Sequence, residues 1–327
     1  MVRAVLFDRL GGPEVLRVED RPVPEPGPGE VRIRVDAIGL NRAEALFRAG
    51  TYYEQPVLPG SRIGYEAAGV VETGAEGFPE GTEISTLASF SMRDYGVYGD
   101  RVVVPVSSLV RRTVDEVTGA SVWLTHQTAY GALVERGGLR PGDTVLITAA
   151  SSGVGIAAIQ IANHLGAVPI AVTRTVAKRD QLLAAGAAHV VTLDSQDLVK
   201  EVRALTGGDG ATMTFDPVGG PGVVDLVEAT AVGGLLVLYG WMAGEPTPLP
   251  MNWDRQVTLF GYGNGSYVAR NPERRRRSEH FINAGLRIGT LRPAVDRVFD
   301  DLADIVEAHA HLESNAQVGK VVVRVRH

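Results

Sequence analysis

The chain has 327 residues, 45% hydrophobic and 21% charged, which is enough for two domains with sizeable cores and too apolar for a disordered chain. A formal net charge of -6 leaves no excess of Lys and Arg to neutralise phosphates, so a small-molecule substrate is expected and a nucleic-acid partner is not. Cysteine is absent, which excludes disulfides, thiolate metal ligands and a cysteine nucleophile.

Residues 1–122 read as mostly β. Turn signals such as Gly11-Gly12-Pro13, the Pro- and Gly-rich run from Pro22 to Gly29, and Pro59-Gly60 separate short alternating runs. Val31 to Val35 alternates cleanly, and strands are also expected at Gly69–Glu72 and Arg101–Pro105. Charges are scattered through the N-terminal segment and no apolar run reaches membrane-spanning length, so no membrane partner and a cytoplasmic location are expected.

Over 123–263 the pattern changes to strands separated by helices, which implies a doubly wound parallel sheet. Its organising stretch runs from Thr144 to Arg179. A short apolar strand, Val145-Leu146-Ile147, leads into the small-residue turn Ala150-Ser151-Ser152-Gly153-Val154-Gly155. Apolar residues then recur at helical spacing from Ile156 until Gly166 stops the helix, and a second strand ends at Thr173-Arg174. A turn of this kind presents backbone N–H groups at a helix N-terminus, where the helix dipole also favours an anionic pyrophosphate. Measured against G-x-G-x-x-G, only Gly155 holds a glycine position, with Ala150 and Ser152 at the other two. The strand-turn-helix-strand context, rather than the glycine count, therefore carries the expectation of dinucleotide binding through Ser151, Ser152, Gly153, Val154 and Gly155.

The second strand of an NAD site normally ends in Asp or Glu, which accepts from the ribose 2′-OH. This one ends in Thr173-Arg174-Thr175, with Lys178 and Arg179 one turn further. A guanidinium and an ammonium suit a 2′-phosphate, so NADPH is the expected cofactor, held mainly by Arg174 and Lys178 with help from Thr173 or Thr175. Further on, Val237-Leu238-Tyr239-Gly240 ends a strand at the sheet edge where ligands bind, which makes Tyr239 and Gly240 cofactor candidates. The apolar segment Val257–Gly261 reads as an edge strand that needs a partner. Gly261 to Tyr267 reads either as a loop that closes over the cofactor through Asn264 or as ordinary surface loop. The run Arg274 to Arg277, flanked by Glu273 and Glu279, is expected to be an ion-paired helix face. Residues 264–327 are assigned with 1–122 to one domain, and the final run Lys320–Val325 is a strand expected to rejoin it.

The order of motifs resembles the medium-chain dehydrogenases/reductases, and most closely their zinc-independent quinone oxidoreductase and zeta-crystallin branch. It rests on GGPEVL (11–16), GEVRIRVDAIGLNRAE (29–44), PGSRIGYEAAGVVE (59–72), TAYGAL (128–133), GDTVLITAASSGVG (142–155), FDPVGG (215–220) and GKVVV (319–323). The resemblance implies an α/β protein in which a Rossmann domain (123–263) is inserted in a mostly β GroES-like catalytic domain (1–122 and 264–327). Where zinc-dependent alcohol dehydrogenases of this superfamily place their metal ligands, this chain has Asn41, Tyr65 and Leu124. Glu66 alone remains, so no metal is expected.

Without a Lewis acid, conjugate reduction of a quinone or an α,β-unsaturated carbonyl is the expected chemistry, with one or two donors stabilising the charge that develops on oxygen. Asn41 is a candidate donor to the substrate or orienter of the nicotinamide, against a plain turn or cap role. By resemblance Tyr52 lines the mouth of the site and either donates to the carbonyl or packs under a loop. Tyr65 is either pocket wall or core filler. In the family the threonine matching Thr128 approaches the nicotinamide; an N-cap would look the same in sequence. The resemblance also implies a homodimer through the edge strand. A metal-free alcohol dehydrogenase or carbonyl reductase, and a protein that holds NADPH with little turnover, remain alternatives.

Overall fold

The computed structural model describes residues 1–327 and divides into two compact units, Met1–Leu124 with Pro293–His327, and Thr125–Arg292. In the first unit, β1 (Val2–Leu6) and β2 (Arg17–Arg21) form an antiparallel pair. The main sheet is built around β3 (Glu30–Leu40), flanked by β4 (Glu66–Val71) and by the C-terminal β15 (Lys320–Arg324), both antiparallel to it. β5 (Glu83–Thr86), β6 (Arg101–Pro105), β7 (Leu109–Arg111) and β14 (Val295–Phe299) complete it. The strands expected at 31–35, 69–72 and 101–105 are all present, and the last strand does rejoin the first domain.

β3 explains its own position. Val31, Ile33 and Val35 point inward, fully buried, while Arg32 and Arg34 alternate outward; from Ile38 to Leu40 the strand is buried on both faces. The inward residues meet Phe7, Phe47, Ile63, Ile84, Val102 and Val104 in one core. Helix α1 (Arg42–Ala49) follows β3 directly, and α8 (Ile305–Glu313) precedes β15.

The second unit is a six-stranded sheet, parallel throughout. Its strands are β8 (Thr144–Ile147), β9 (Val168–Thr173), β10 (His189–Thr192), β11 (Ala211–Asp216), β12 (Thr230–Leu238) and β13 (Thr258–Gly261), in the order β10-β9-β8-β11-β12-β13. That is the 3-2-1-4-5-6 order of the Rossmann fold, whose direction of winding reverses between β8 and β11. Helices α3 (Gly153–His164), α4 (Arg179–Ala184), α5 (Leu198–Leu205) and α6 (Val223–Ala229) connect the strands.

The division differs from the one expected at 123 and 263. It falls inside helix α2 (Glu116–Tyr130), and residues 264–292, including α7 (Pro272–Ile288), lie with the nucleotide unit. The reason is side-chain packing invisible in local pattern. Phe281 meets the rings of Tyr130 and His164 at 4.9 and 5.2 Å, Ser278 accepts from Gln127, and Arg277 pairs with Glu135. The arginine run is an ion-paired face as expected, with Arg275–Glu279 and Arg277–Glu273 pairs at 2.6 Å.

Candidate functional site

In the second unit the turn after β8 is tight. Ala149 adopts φ 44, a left-handed conformation costly for a residue with a Cβ, and Ala150 N–H donates to Val172 at the end of β9. The helix starts at Gly153, one turn earlier than the apolar periodicity indicates, because Ser152 caps it by accepting from Gly155 N–H at 3.1 Å. The N–H groups of Gly153 and Val154 have no preceding turn to bond to, so the helix tip presents donors to an anion. A Cβ on Gly155 would stand 2.5 Å from the Ala150 carbonyl oxygen, so glycine is required for the helix to approach the turn. Substitution of the first two fingerprint glycines by Ala150 and Ser152 is tolerated because the crowding falls at the third.

Lys178 reaches back over this turn, its Nζ 3.3 Å from Ser151 Oγ. Thr173 ends β9 buried, and Arg174 and Thr175 beyond it are exposed. Arg179 is turned away and donates to the Val190 carbonyl. One group escaped the sequence reading. Asp194, after β10, receives Val176 N–H at 3.4 Å and donates its own N–H to the Arg174 carbonyl, so a carboxylate from the neighbouring strand does stand beside the basic loop.

At the reversal point, Asp216 ends β11 fully buried. It accepts from Thr148 Oγ1 and, at 2.7 Å, from Gly219 N–H; burial raises its pKa and these two bonds oppose the rise. Tyr239 follows β12, its ring stacked on Phe215 at 4.0 Å and its hydroxyl buried without a hydrogen-bond partner. A Cβ on Gly240 would stand 2.6 Å from the Pro217 carbonyl oxygen, which brings this turn against the Asp216 loop. Thr128 is buried in the last turn of α2 and does not begin a helix, so the N-cap alternative fails. Residues 261–267 are not a free loop either. Tyr262 is buried, and Asn264 accepts from its hydroxyl, donates to Gln127 Oε1, and precedes a π-helical turn, Gly265–Ala269.

The first unit gathers Asn41, Tyr65 and Leu124 around two residues of opposite charge. Lys320, 3% exposed, donates to Glu66 Oε2 at 2.6 Å and also to Asn41 Oδ1; Glu66, 1% exposed, accepts Leu124 N–H on its other oxygen at 3.0 Å. An ammonium thus stands beside Asn41 and Glu66, among the positions that the sequence resemblance matched to metal ligands. These residues do not fit a zinc ion, since Asn41, Tyr65 and Leu124 lack its usual side-chain donors and Glu66 is engaged by Lys320. No group of three or more His, Cys, Asp or Glu is placed to hold a metal.

Asn41 has its orientation fixed by this neighbour. Lysine only donates, so the amide oxygen faces Nζ and the amide nitrogen faces inward, where it donates to Gly39 O at 3.1 Å and to Glu44 Oε1 at 3.2 Å. Both amide hydrogens are used, which leaves the oxygen rather than the expected N–H groups for any further partner. Asn41 occupies the N-cap position of α1, yet its side chain caps nothing. Tyr65 sends its backbone N–H to Glu44 and its hydroxyl to Glu54 at 3.4 Å, and its ring meets Phe90 at 5.6 Å. Tyr52 is half-buried beside Tyr53, ring centroids 4.3 Å apart. Burial raises the pKa of both Tyr52 and Tyr65, so each remains a neutral phenol and a hydrogen-bond donor.

Comparison with known proteins agrees with this geometry. Residues 27–116 match the alcohol dehydrogenase GroES-like domain and residues 153–279 the zinc-binding dehydrogenase model. A 2-haloacrylate reductase of Burkholderia sp is 29% identical and a quinone oxidoreductase of Pseudomonas aeruginosa 30% identical, each over 99% of both chains. Among solved structures, Escherichia coli quinone oxidoreductase complexed with NADPH superposes with a TM-score of 0.91 at 25% identity, covering 98% of this chain and 99% of that one. A protein described as an NAD-dependent alcohol dehydrogenase reaches 0.86 at 34%, covering 99% and 100%. The chain belongs to the medium-chain dehydrogenase/reductase superfamily, nicotinamide-dependent oxidoreductases with a GroES-like and a Rossmann unit. Within it, the chain stands in the zinc-independent quinone oxidoreductase branch.

Proposed function

We propose that the protein uses NADPH to reduce a quinone or an α,β-unsaturated carbonyl compound. The observation that carries the cofactor choice is Lys178, whose ammonium lies over the helix-tip turn at Ser151, with exposed Arg174 beside it. The two cations suit a 2′-phosphate, and the amides of Gly153 and Val154 with the Ser152 cap suit the pyrophosphate. Asp194 favours a second reading in which NADH is also accepted, since its carboxylate can take a ribose 2′-OH. NADPH supplies hydride when bound. The chain's part is to bind and orient it through the turn, Thr173, Tyr239 and Gly240, while the neutral phenol of Tyr52 donates to the oxygen on which charge develops and Tyr65, its hydroxyl engaged by Glu54, forms the wall behind it. Lys320 fixes the orientation of the Asn41 amide, whose N–H groups are then used within the chain, so Asn41 acts as an orienting acceptor rather than as the donor to the substrate oxygen.

We further infer a cytoplasmic homodimer joined at β13. This strand bonds only to β12 within the sheet, and Leu259 on it is exposed, as are Trp241, Leu249, Met251 and Trp253 nearby in the chain. No helix is long and apolar enough to cross a membrane. Incubating the purified protein with NADPH and a panel of quinones and enones should consume NADPH with at least one acceptor. Arg174→Ala with Lys178→Ala should raise KM for NADPH about tenfold or more and leave that for NADH within about twofold. NADPH binding without turnover on any acceptor would favour the holding role, and equal effects on both cofactors would refute the phosphate assignment.

A further inference from the structure

The first unit holds polar atoms that the proposed reaction does not use. Glu44 Oε2, Tyr98 Oη, Arg48 Nε and both ring nitrogens of His309 are buried without a hydrogen-bond partner. They belong to one neighbourhood. Glu44 and Arg48 are four residues apart on α1 and share a face. The Tyr98 phenol is raised in pKa by burial and by the Glu44 carboxyl, with Arg48 opposing, and its ring meets that of His309 edge-on at 5.8 Å. His309 Nδ1 lies 3.8 Å from Glu313, which also receives Arg48 Nη2. Native interiors leave few such atoms unsatisfied, and a cluster with two to four convergent polar groups is where ordered water resides.

Glu44 is fully buried, and its two oxygens differ. Oε1 accepts from Asn41 at 3.2 Å and from Tyr65 N–H at 3.1 Å, so Oε2 is the oxygen left to carry a proton. Lys320 is already matched by Glu66, and an ionised Glu44 would add an uncompensated buried charge. We propose that Glu44 works as a neutral carboxylic acid, its proton on Oε2 directed at a buried water shared with Tyr98 and Arg48, and that in this form it positions Asn41. Ionisation would draw the Lys320 ammonium toward Glu44 and away from Asn41 Oδ1. The groups facing Glu44 are Asn41 and Arg48 on its own helix, Tyr52, Tyr65, Glu66, Tyr98 and Lys320, with His309 and Glu313 behind Arg48. His309 is held neutral by burial, so it adds no cation. Burial pushes Glu44 up to about 7, and Lys320 only partly offsets it. A carboxyl raised in the folded state contributes stability that is complete below its unfolded pKa and is lost as pH rises through about 7.

Glu44→Gln tests this, because glutamine keeps the accepting oxygen, replaces the O–H by N–H and cannot ionise. Denaturation of both proteins from pH 5 to pH 8.5 should show the variant gaining on the wild type as pH rises, up to roughly a hundredfold in the unfolding equilibrium. A stability difference constant across that range would overturn the proposal. Only the role of Asn41 rests on the proposed function. There, the kcat profile of the wild type should lose activity through about pH 7 and that of the variant should not. Stability arms that diverge alongside unchanged kcat profiles would retain the neutral acid and refute the positioning. If the variant does not fold, a high-resolution crystal structure of the wild type decides, with ordered water between Glu44, Tyr98 and Arg48 supporting the proposal and a dry contact refuting it.

Discussion

Lys320 and Glu66 form a pair that is almost wholly buried, and neither partner is replaceable alone without cost. Removing one leaves the other charge in the interior, which costs about 3–5 kcal/mol, whereas removing both together leaves mostly a packing problem. Lys320→Met should therefore lower the free energy of unfolding by about that amount, and Lys320→Met with Glu66→Gln should recover at least half of it. Denaturant titration of the three proteins checks this; a double variant no better than the single would mean that the lysine acts by packing alone. Lys320 was not legible as a site residue. Its partner Asn41 lies 279 positions away, and GKVVV reads locally as the start of a strand. Glu44 did leave a local trace, since Asn41-x-x-Glu44 has the spacing of a capping box. The structure uses both side chains otherwise, Glu44 for the Tyr65 amide and Asn41 for Lys320, and no rule of helix starts could have indicated that.

Among elements, the unit from β8 to β9 was the most legible, because each of its features is local: the apolar strand, the small turn, Gly155 and the basic end of the second strand. Gly155 also gives the firmest prediction. Gly155→Ala puts a Cβ against Ala150 at 2.5–2.7 Å from three backbone atoms, none of which can rotate away. We expect a loss of about 1–3 kcal/mol of stability and NADPH binding weakened about tenfold or more, because the amides at the helix tip move with the turn. Fluorescence titration and thermal melting measure the two effects, and an unchanged Kd would show that the tip does not hold the pyrophosphate. The helix start at Gly153 was hidden for a simple reason. Apolar periodicity marks where a helix is buried, and the first turn of this one is small and polar, so its only signal is the cap at Ser152. The segment 264–292 was assigned to the other unit for the opposite reason: α7 is polar on much of its surface, and its place is set by distant partners, through Ser278, Phe281 and the Arg277–Glu135 pair.

At the scale of the molecule, β13 is an unpaired sheet edge in a unit whose exposed large apolar residues concentrate between Trp241 and Leu259. A sheet edge with this character is expected to meet a copy of itself. The 34.8 kDa chain should sediment at about twice that mass, and Leu259→Asp should shift it to the monomer; a wild type that sediments as a monomer at micromolar concentration would refute the dimer.

The cation at the centre of the first unit has a consequence of another kind. Because Lys320 is part of the polypeptide, the charge that organises Asn41 and Glu66 is present from the moment the last strand closes the sheet. It cannot be stripped by a chelator, exchanged for a competing ion or left unloaded when a metal is scarce. Assembly of this half of the protein is thereby coupled to the docking of β15 against β3 rather than to the supply of a nutrient.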